Sequence, residues 1–122
     1  MKMVNERDID MLLRILDHCD RVFSSISRFG DDYEIYKEDW DYQDVIKMNL
    51  FQIGEISNNL SDELRENMSE IPWHQLYGMR NIIAHGYEKV HEEEIWKTIK
   101  NDIPDIKGKI VSFLNKLNID TE

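Results

Sequence analysis

Asp8–Phe29, "DIDMLLRILDHCDRVFSSISRF", is the stretch that decides the fold. Ile9, Leu12, Leu13, Leu16, Cys19, Phe23 and Ile26 recur at steps of three and four, the period of a helix buried along one side. Acids, arginines and serines fill the rest. Asp8 is placed to cap its start and Gly30 to end it. A helix with one apolar stripe is not stable alone in water, so other helices must cover that stripe.

The chain supplies them. A second long helix is predicted over Asp39–Asn59, with Tyr42, Val45, Ile46, Asn49, Leu50, Ile53, Ile56 and Leu60 as its stripe. Ser61 can cap a short third helix, "DELRENM". Pro72 suits the first position of a fourth, where its missing N–H costs nothing, and Gly86 sits where a C-terminal cap belongs. A fifth begins near His91, with three acids in its first turn to complement the helix dipole. Pro104 should kink or split it. Between the first two helices, "DDYEIYKEDWD" reads as a loop with a short turn of helix. The expectation is an all-α, up-and-down bundle of four to five helices, one domain over residues 1–122.

Composition narrows the alternatives. Five glycines and two prolines in 122 residues leave little material for the turns of an all-β fold. No apolar run approaches the roughly 20 residues that span a bilayer. The N-terminal stretch is too acidic for a signal peptide, so the expected location is cytoplasmic, with no membrane partner. Cys19 is the only cysteine, which excludes an internal disulfide and reads as a small core hydrophobe. The net charge of −10 counts against broad binding of nucleic acid, which needs Lys and Arg to neutralise phosphates. A few well-placed cations are still compatible with it.

Met79–Val90, "MRNIIAHGYEKV", is the stretch that carries chemistry. Arg80 has the planar fork that suits phosphate. His85 falls at the negative end of its helix, which favours an imidazolium. Asn81 lies four residues before His85, on the same face. Tyr87 follows the glycine, so its hydroxyl should be reachable. Arg80 and His85 are five apart, about 140° around an undisturbed helix. Either the last turn loosens near Gly86, or two copies of the motif face each other across a dimer. An arginine to hold phosphate and a histidine to move a proton are the minimum for metal-free RNA cleavage by a ribose 2′-hydroxyl.

"RNIIAHGY" matches the R-N-x-x-x-H signature of the HEPN superfamily and its R-x-x-x-x-H-x-Y form. Together with "IGEISNNL" at Ile53–Leu60, "IPWHQLYGMRN" and "HEEEIWKTIKNDIPDIKGKI", it resembles the HepT-like branch, the toxin half of HepT/MntA toxin–antitoxin pairs. The resemblance runs from about Asp8 to Leu117. It implies an endoribonuclease toxin that needs no metal or other cofactor and forms a homodimer with the motifs at its interface. Arg80 and His85 would then be catalytic, with Asn81 and Glu55 supporting the site. The implied partners are substrate RNA and an MntA-like nucleotidyltransferase antitoxin, which transfers AMP to Tyr87 and could join the toxin in a hetero-oligomer. The alternative is a non-catalytic HEPN subunit that docks a minimal nucleotidyltransferase and helps to bind nucleotide. Two departures stand out: Ile56 replaces a common alanine, and Gly86 a common glutamate.

The remaining polar residues read as ordinary. His18, His74 and His91 make no pair with metal-ligand spacing. Trp40, Trp73 and Trp96 read as core or interface anchors. The lysines are scattered among acids, with no stripe that could track RNA.

Overall fold

The computed structural model describes residues 4–85 and 92–121, and every regular element within them is helical. In chain order these are α1 (Glu6–Phe29), α2 (Tyr33–Lys37), α3 (Trp40–Asn59), α4 (Asp62–Asn67), α5 (Trp73–His85), α6 (Glu92–Lys97) and α7 (Ile103–Lys116). A π-helical turn over Thr98–Asp102 joins α6 to α7. The expected all-α bundle is what forms. Its long members are α1, α3, α5 and the α6–α7 rod, and "DDYEIYKEDWD" folds its short turn as α2.

The start of α1 differs from expectation. Asn5, not Asp8, is the cap: its Oδ1 accepts from the Asp8 N–H at 2.7 Å. Asp8 lies within the first turn and is buried. Its carboxylate accepts from the Ser61 N–H at 3.0 Å and from the Ser61 hydroxyl at 2.6 Å. Ser61 Oγ in turn accepts from the Leu64 N–H and caps α4 as anticipated. A buried carboxylate must be matched by donors. Here the match ties together two helix starts that are far apart in sequence.

The buried line of α1 is Leu12, Ile15, Leu16, Cys19 and Val22, flanked by partly buried Ile9, Leu13, Phe23 and Ile26. The stripe is wider than expected, taking in Ile15 and Val22, because α1 packs on both α3 and α7. On α3 the predicted stripe is buried except for Val45, which faces outward at the edge of the α1–α3 seam. Cys19 is core, and burial pushes its thiol up to about 12, with Asp20 adding to the effect.

Aromatic rings close one end of the bundle. Phe29 stacks on Tyr42 at 4.8 Å, and Tyr36 meets Tyr42 edge-on at 5.1 Å and Trp96 at 5.4 Å. The Tyr42 hydroxyl donates to the Gly30 carbonyl at 3.0 Å. The Tyr36 hydroxyl donates to Glu92 Oε1 at 2.7 Å, and Lys47 Nζ holds Glu92 Oε2 at 2.6 Å. The first residue of α6 is thereby anchored to α2 and α3. Burial pushes the Tyr42 hydroxyl up to about 12, helped by Asp31. Tyr36 moves in the same direction and further, through burial and its bond to Glu92.

The last helical segment is divided just ahead of Pro104, as expected of a kink or split there. Proline has no N–H and its ring crowds the carbonyl four residues back. The turn ahead of it is widened, so that the Ile103 N–H bonds to the Thr98 carbonyl, five residues back. Pro72 also sits one position earlier than expected. It precedes α5, and its carbonyl accepts the helix's first bond, from the Leu76 N–H at 3.1 Å. No described helix is long and apolar enough to cross a membrane.

Candidate active site

The site is built where α3 and α5 approach most closely. A Cβ on Gly54 would lie 2.5 Å from Arg80 Cβ and 2.8 Å from the Leu76 carbonyl oxygen. Only hydrogen fits there, so the α3 backbone rests directly on α5. Glu55, the next residue, then lies within reach of Arg80.

Arg80 is held on four sides. Its Nε–H donates to Glu55 Oε1 at 2.5 Å, and Nη1–H donates to Asn81 Oδ1 at 3.0 Å. The guanidinium carbon is 5.0 Å from the Phe51 ring centroid and 5.6 Å from that of Tyr77. Cation–π contact and a charge-assisted bond together fix a side chain that would otherwise sample many rotamers. The Arg80 side chain is 23% exposed, enough for a ligand to reach it. A guanidinium carries five N–H donors. Glu55 and Asn81 take two, and the rest have no partner among the described residues.

His85 is the last residue of α5 and is exposed. Since α5 is regular through His85, the angular separation of about 140° from Arg80 persists within one chain. Arg80 turns inward to α3, while His85 stands on another side. Asn81, expected to support the site, accepts from Arg80 through its side-chain Oδ1. Gly86, Tyr87 and His91 lie outside the described residues. Phe51 and Tyr77 were missed by sequence reasoning. Helical spacing could have found both: Tyr77 is three residues before Arg80, and Phe51 four before Glu55.

Other polar candidates fall elsewhere. His18 is paired with Asn49 in a groove between α1 and α3. Trp73 is half-buried, its Nε1–H donating to the Met68 carbonyl at 3.0 Å, and Trp96 belongs to the aromatic cluster. Trp40, on the first turn of α3, is 81% exposed. Among the described residues no three His, Cys, Asp or Glu side chains gather as a cation site.

A helical bundle with a clamped arginine and a helix-terminal histidine defines the class, and family comparison gives the particular family. Residues 13–113 match the family described as "Ribonuclease HepT-like". The chain belongs to the HepT-like family of the HEPN superfamily. It is similar to a "Putative RNase" of Caldanaerobacter subterraneus, 31% identical over 86% of this chain and 92% of the relative. A "Putative RNase" of Methanocaldococcus jannaschii is 30% identical over 92% of both chains. The "Probable ribonuclease HepT" of Thermococcus cleftensis is 42% identical over 47% of this chain and 52% of its own. No solved structure matches.

Proposed function

We propose that the protein is an endoribonuclease that cleaves RNA by attack of a ribose 2′-hydroxyl on the adjacent phosphate. The observation that carries this reading is the clamped Arg80, whose remaining N–H donors have no partner among the described residues, on the same helix that ends in exposed His85. In the reaction, one imidazole takes the 2′-hydroxyl proton as the 2′-oxygen bonds to phosphorus. The P–O5′ bond breaks, and a second imidazole, already protonated, gives its proton to the leaving 5′-oxygen. The products are a 2′,3′-cyclic phosphate and a 5′-hydroxyl. Arg80 faces the phosphorane, whose charge is greater than that of the ground-state diester.

One chain offers one motif histidine, on a different side from Arg80. A homodimer supplies both motif histidines, so the active species in this reading is a dimer with the motifs at its interface. The protein acts as the toxin of a toxin–antitoxin pair, and its partner is an MntA-like nucleotidyltransferase that adds AMP to Tyr87. An added anion two residues from His85 would compete with RNA phosphate for Arg80. The net charge of −10 favours the second reading, a non-catalytic subunit that docks the nucleotidyltransferase and helps to bind nucleotide.

The test is incubation with RNA in EDTA beside His85→Ala. Wild type should cut and the variant should not; equal inertness on every RNA refutes the nuclease reading. Specific activity should fall on dilution as dimers dissociate, and activity independent of concentration would refute the shared site. After co-expression with the nucleotidyltransferase, the Tyr87 peptide should gain mass in units of AMP. An unmodified peptide would refute that regulation.

A further inference from the structure

The seam between α1 and α3 forms an open groove of about 670 Å³. Arg14, His18, Arg21 and Ser25 line it from α1, at successive steps of four, three and four residues. They form one straight stripe, and from Arg14 to Arg21 it rises about 10.5 Å. Asn49 and Gln52 line the α3 wall with Val45 and Met48, and Met48 is 67% exposed.

The polar groups of this groove are ordered. Asn49 Nδ2 donates to the Val45 carbonyl at 2.9 Å, which leaves Oδ1 to accept. His18 Nδ1 therefore carries a proton and donates to that oxygen at 2.9 Å. Arg14 has no ion-pair partner among the described residues. Arg21 meets Asp17 at 3.0 Å, but both side chains are well exposed, at 64% and 60%, so the pair is weak and easily exchanged. Asp44 is the one acid lining the groove. The lining thus has two arginines against one carboxylate, with the exposed Asp17 beside Arg21, in a chain of net charge −10.

Helical spacing on α3 brings the groove beside the candidate active site. Met48, Gln52 and Glu55 share the outer stripe of α3 by helical spacing. Gln52 lines the groove, and Glu55, three residues on, holds Arg80, whose guanidinium also meets the Phe51 ring. A strand with one phosphate at Arg80 would follow this stripe of α3 to enter the groove.

We propose that the α1–α3 groove is a second RNA subsite. Arg14 and Arg21 bind backbone phosphates away from the scissile one, and the Asn49 and Gln52 amides with the Met48 side chain contact the ribose and base between them. The inference rests on the nuclease reading above: two placed arginines, rather than a basic surface, would hold the strand in so acidic a protein.

The test uses the full chain and fluorescent single-stranded RNA. Arg14→Ala/Arg21→Ala is compared with wild type and with Lys116→Ala, a cation on another helix. Binding is measured in the His85→Ala background at several salt concentrations. The double variant should bind about tenfold more weakly, with the slope of log affinity against log salt shallower by about 1.4. In the cleaving protein, KM for long RNA should rise with kcat little changed, while a dinucleotide spanning only the scissile phosphate is cut as before. If wild type cuts RNA and the double variant keeps its affinity, salt slope and KM, the subsite is refuted and the nuclease reading stands. If the double variant loses dimers on gel filtration, the groove is a contact between copies and the subsite is refuted. If wild type neither binds nor cuts RNA, both fall.

Discussion

Gly54→Ala should damage both the fold and the site, against what helix propensity alone would give. Alanine in place of glycine within a helix is worth up to about 1 kcal/mol in propensity. At Gly54 the new methyl would sit 2.5 Å from Arg80 Cβ and 2.8 Å from the Leu76 carbonyl oxygen. Neither neighbour is the end of a flexible chain: one is fixed to the α5 backbone and the other is backbone. Carbon–carbon contact is comfortable near 3.5 Å or more, so α3 and α5 must part by about 1 Å. Overpacking of this kind costs about 1–3 kcal/mol. It also loosens the Arg80–Glu55 bond, so a net loss of about 1–2 kcal/mol remains after the propensity gain. With an unfolding entropy near 2.1 cal/mol/K per residue, 122 residues give ~0.26 kcal/mol/K, so Tm should drop by about 4–8 °C. Gly108→Ala is the control, since a Cβ there meets nothing within 4 Å; its Tm should rise by up to about 4 °C. Melts must be compared at equal protein concentration, because dimer formation would itself shift Tm. A misplacement of 1 Å can cost about 100-fold in rate, so RNA cleavage should fall more than stability does. If Gly54→Ala is as stable and active as Gly108→Ala, the close approach of α3 and α5 is not what builds the site.

Glu55→Ala releases the Nε edge of Arg80; kcat on RNA should fall at least about tenfold while KM changes little, and an unchanged kcat in steady-state kinetics would contradict the clamp. Asp8→Ala leaves the Ser61 N–H and hydroxyl without their buried acceptor; it should cost about 1–3 kcal/mol, read as a lower Tm, and an unchanged melt would mean that this tie carries no net stability. Cys19 should resist iodoacetamide at pH 8 in the native protein and react once denatured, because burial pushes its thiol up to about 12; rapid native labelling would contradict the core position. Tyr36, Tyr42 and Cys19 all hold their protons more tightly folded than unfolded, where they titrate near 10.0, 10.0 and 9.0. Their contribution is therefore complete below about pH 9 and is lost as pH rises, by up to about 1.4 kcal/mol per pH unit per group. Urea midpoints should fall between pH 9 and 11, and less steeply in Tyr36→Phe; a flat profile would refute the assignment.

Most of the bundle was legible because its signals are local. The three- and four-residue periods of α1 and α3, the Ser61 cap, and the Gly30 stop each depend on neighbours within a turn or two. The start of α1 was misplaced for a physical reason. Asn5 and Asp8 are both good caps, and what separates them is the distant Ser61, whose two donors draw Asp8 into the interior. The width of the α1 stripe also depended on a tertiary fact, that two helices rather than one lie against it. Pro104 was read as a kink or split, and the form this takes is a π-helical turn that divides α6 from α7.

The site divides in the same way. Arg80 and His85 were legible from residue type and spacing, and the structure retains their separation around α5. That Glu55 would meet Arg80 depended on how closely two helices could approach, which a single glycine decides. The I-G-E run at Ile53–Glu55 therefore has one physical sense: Ile53 fills the core, Gly54 lets α5 come close, and Glu55 clamps what α5 presents. The clamp bears on the charge of the chain as well. Glu55 takes the Nε edge of Arg80 and cancels part of its charge, so the guanidinium is a weaker attractor for anions in general than a solvated arginine would be. Its remaining donors keep their direction. An acidic protein so built would select phosphates that arrive in the right orientation, by geometry more than by charge.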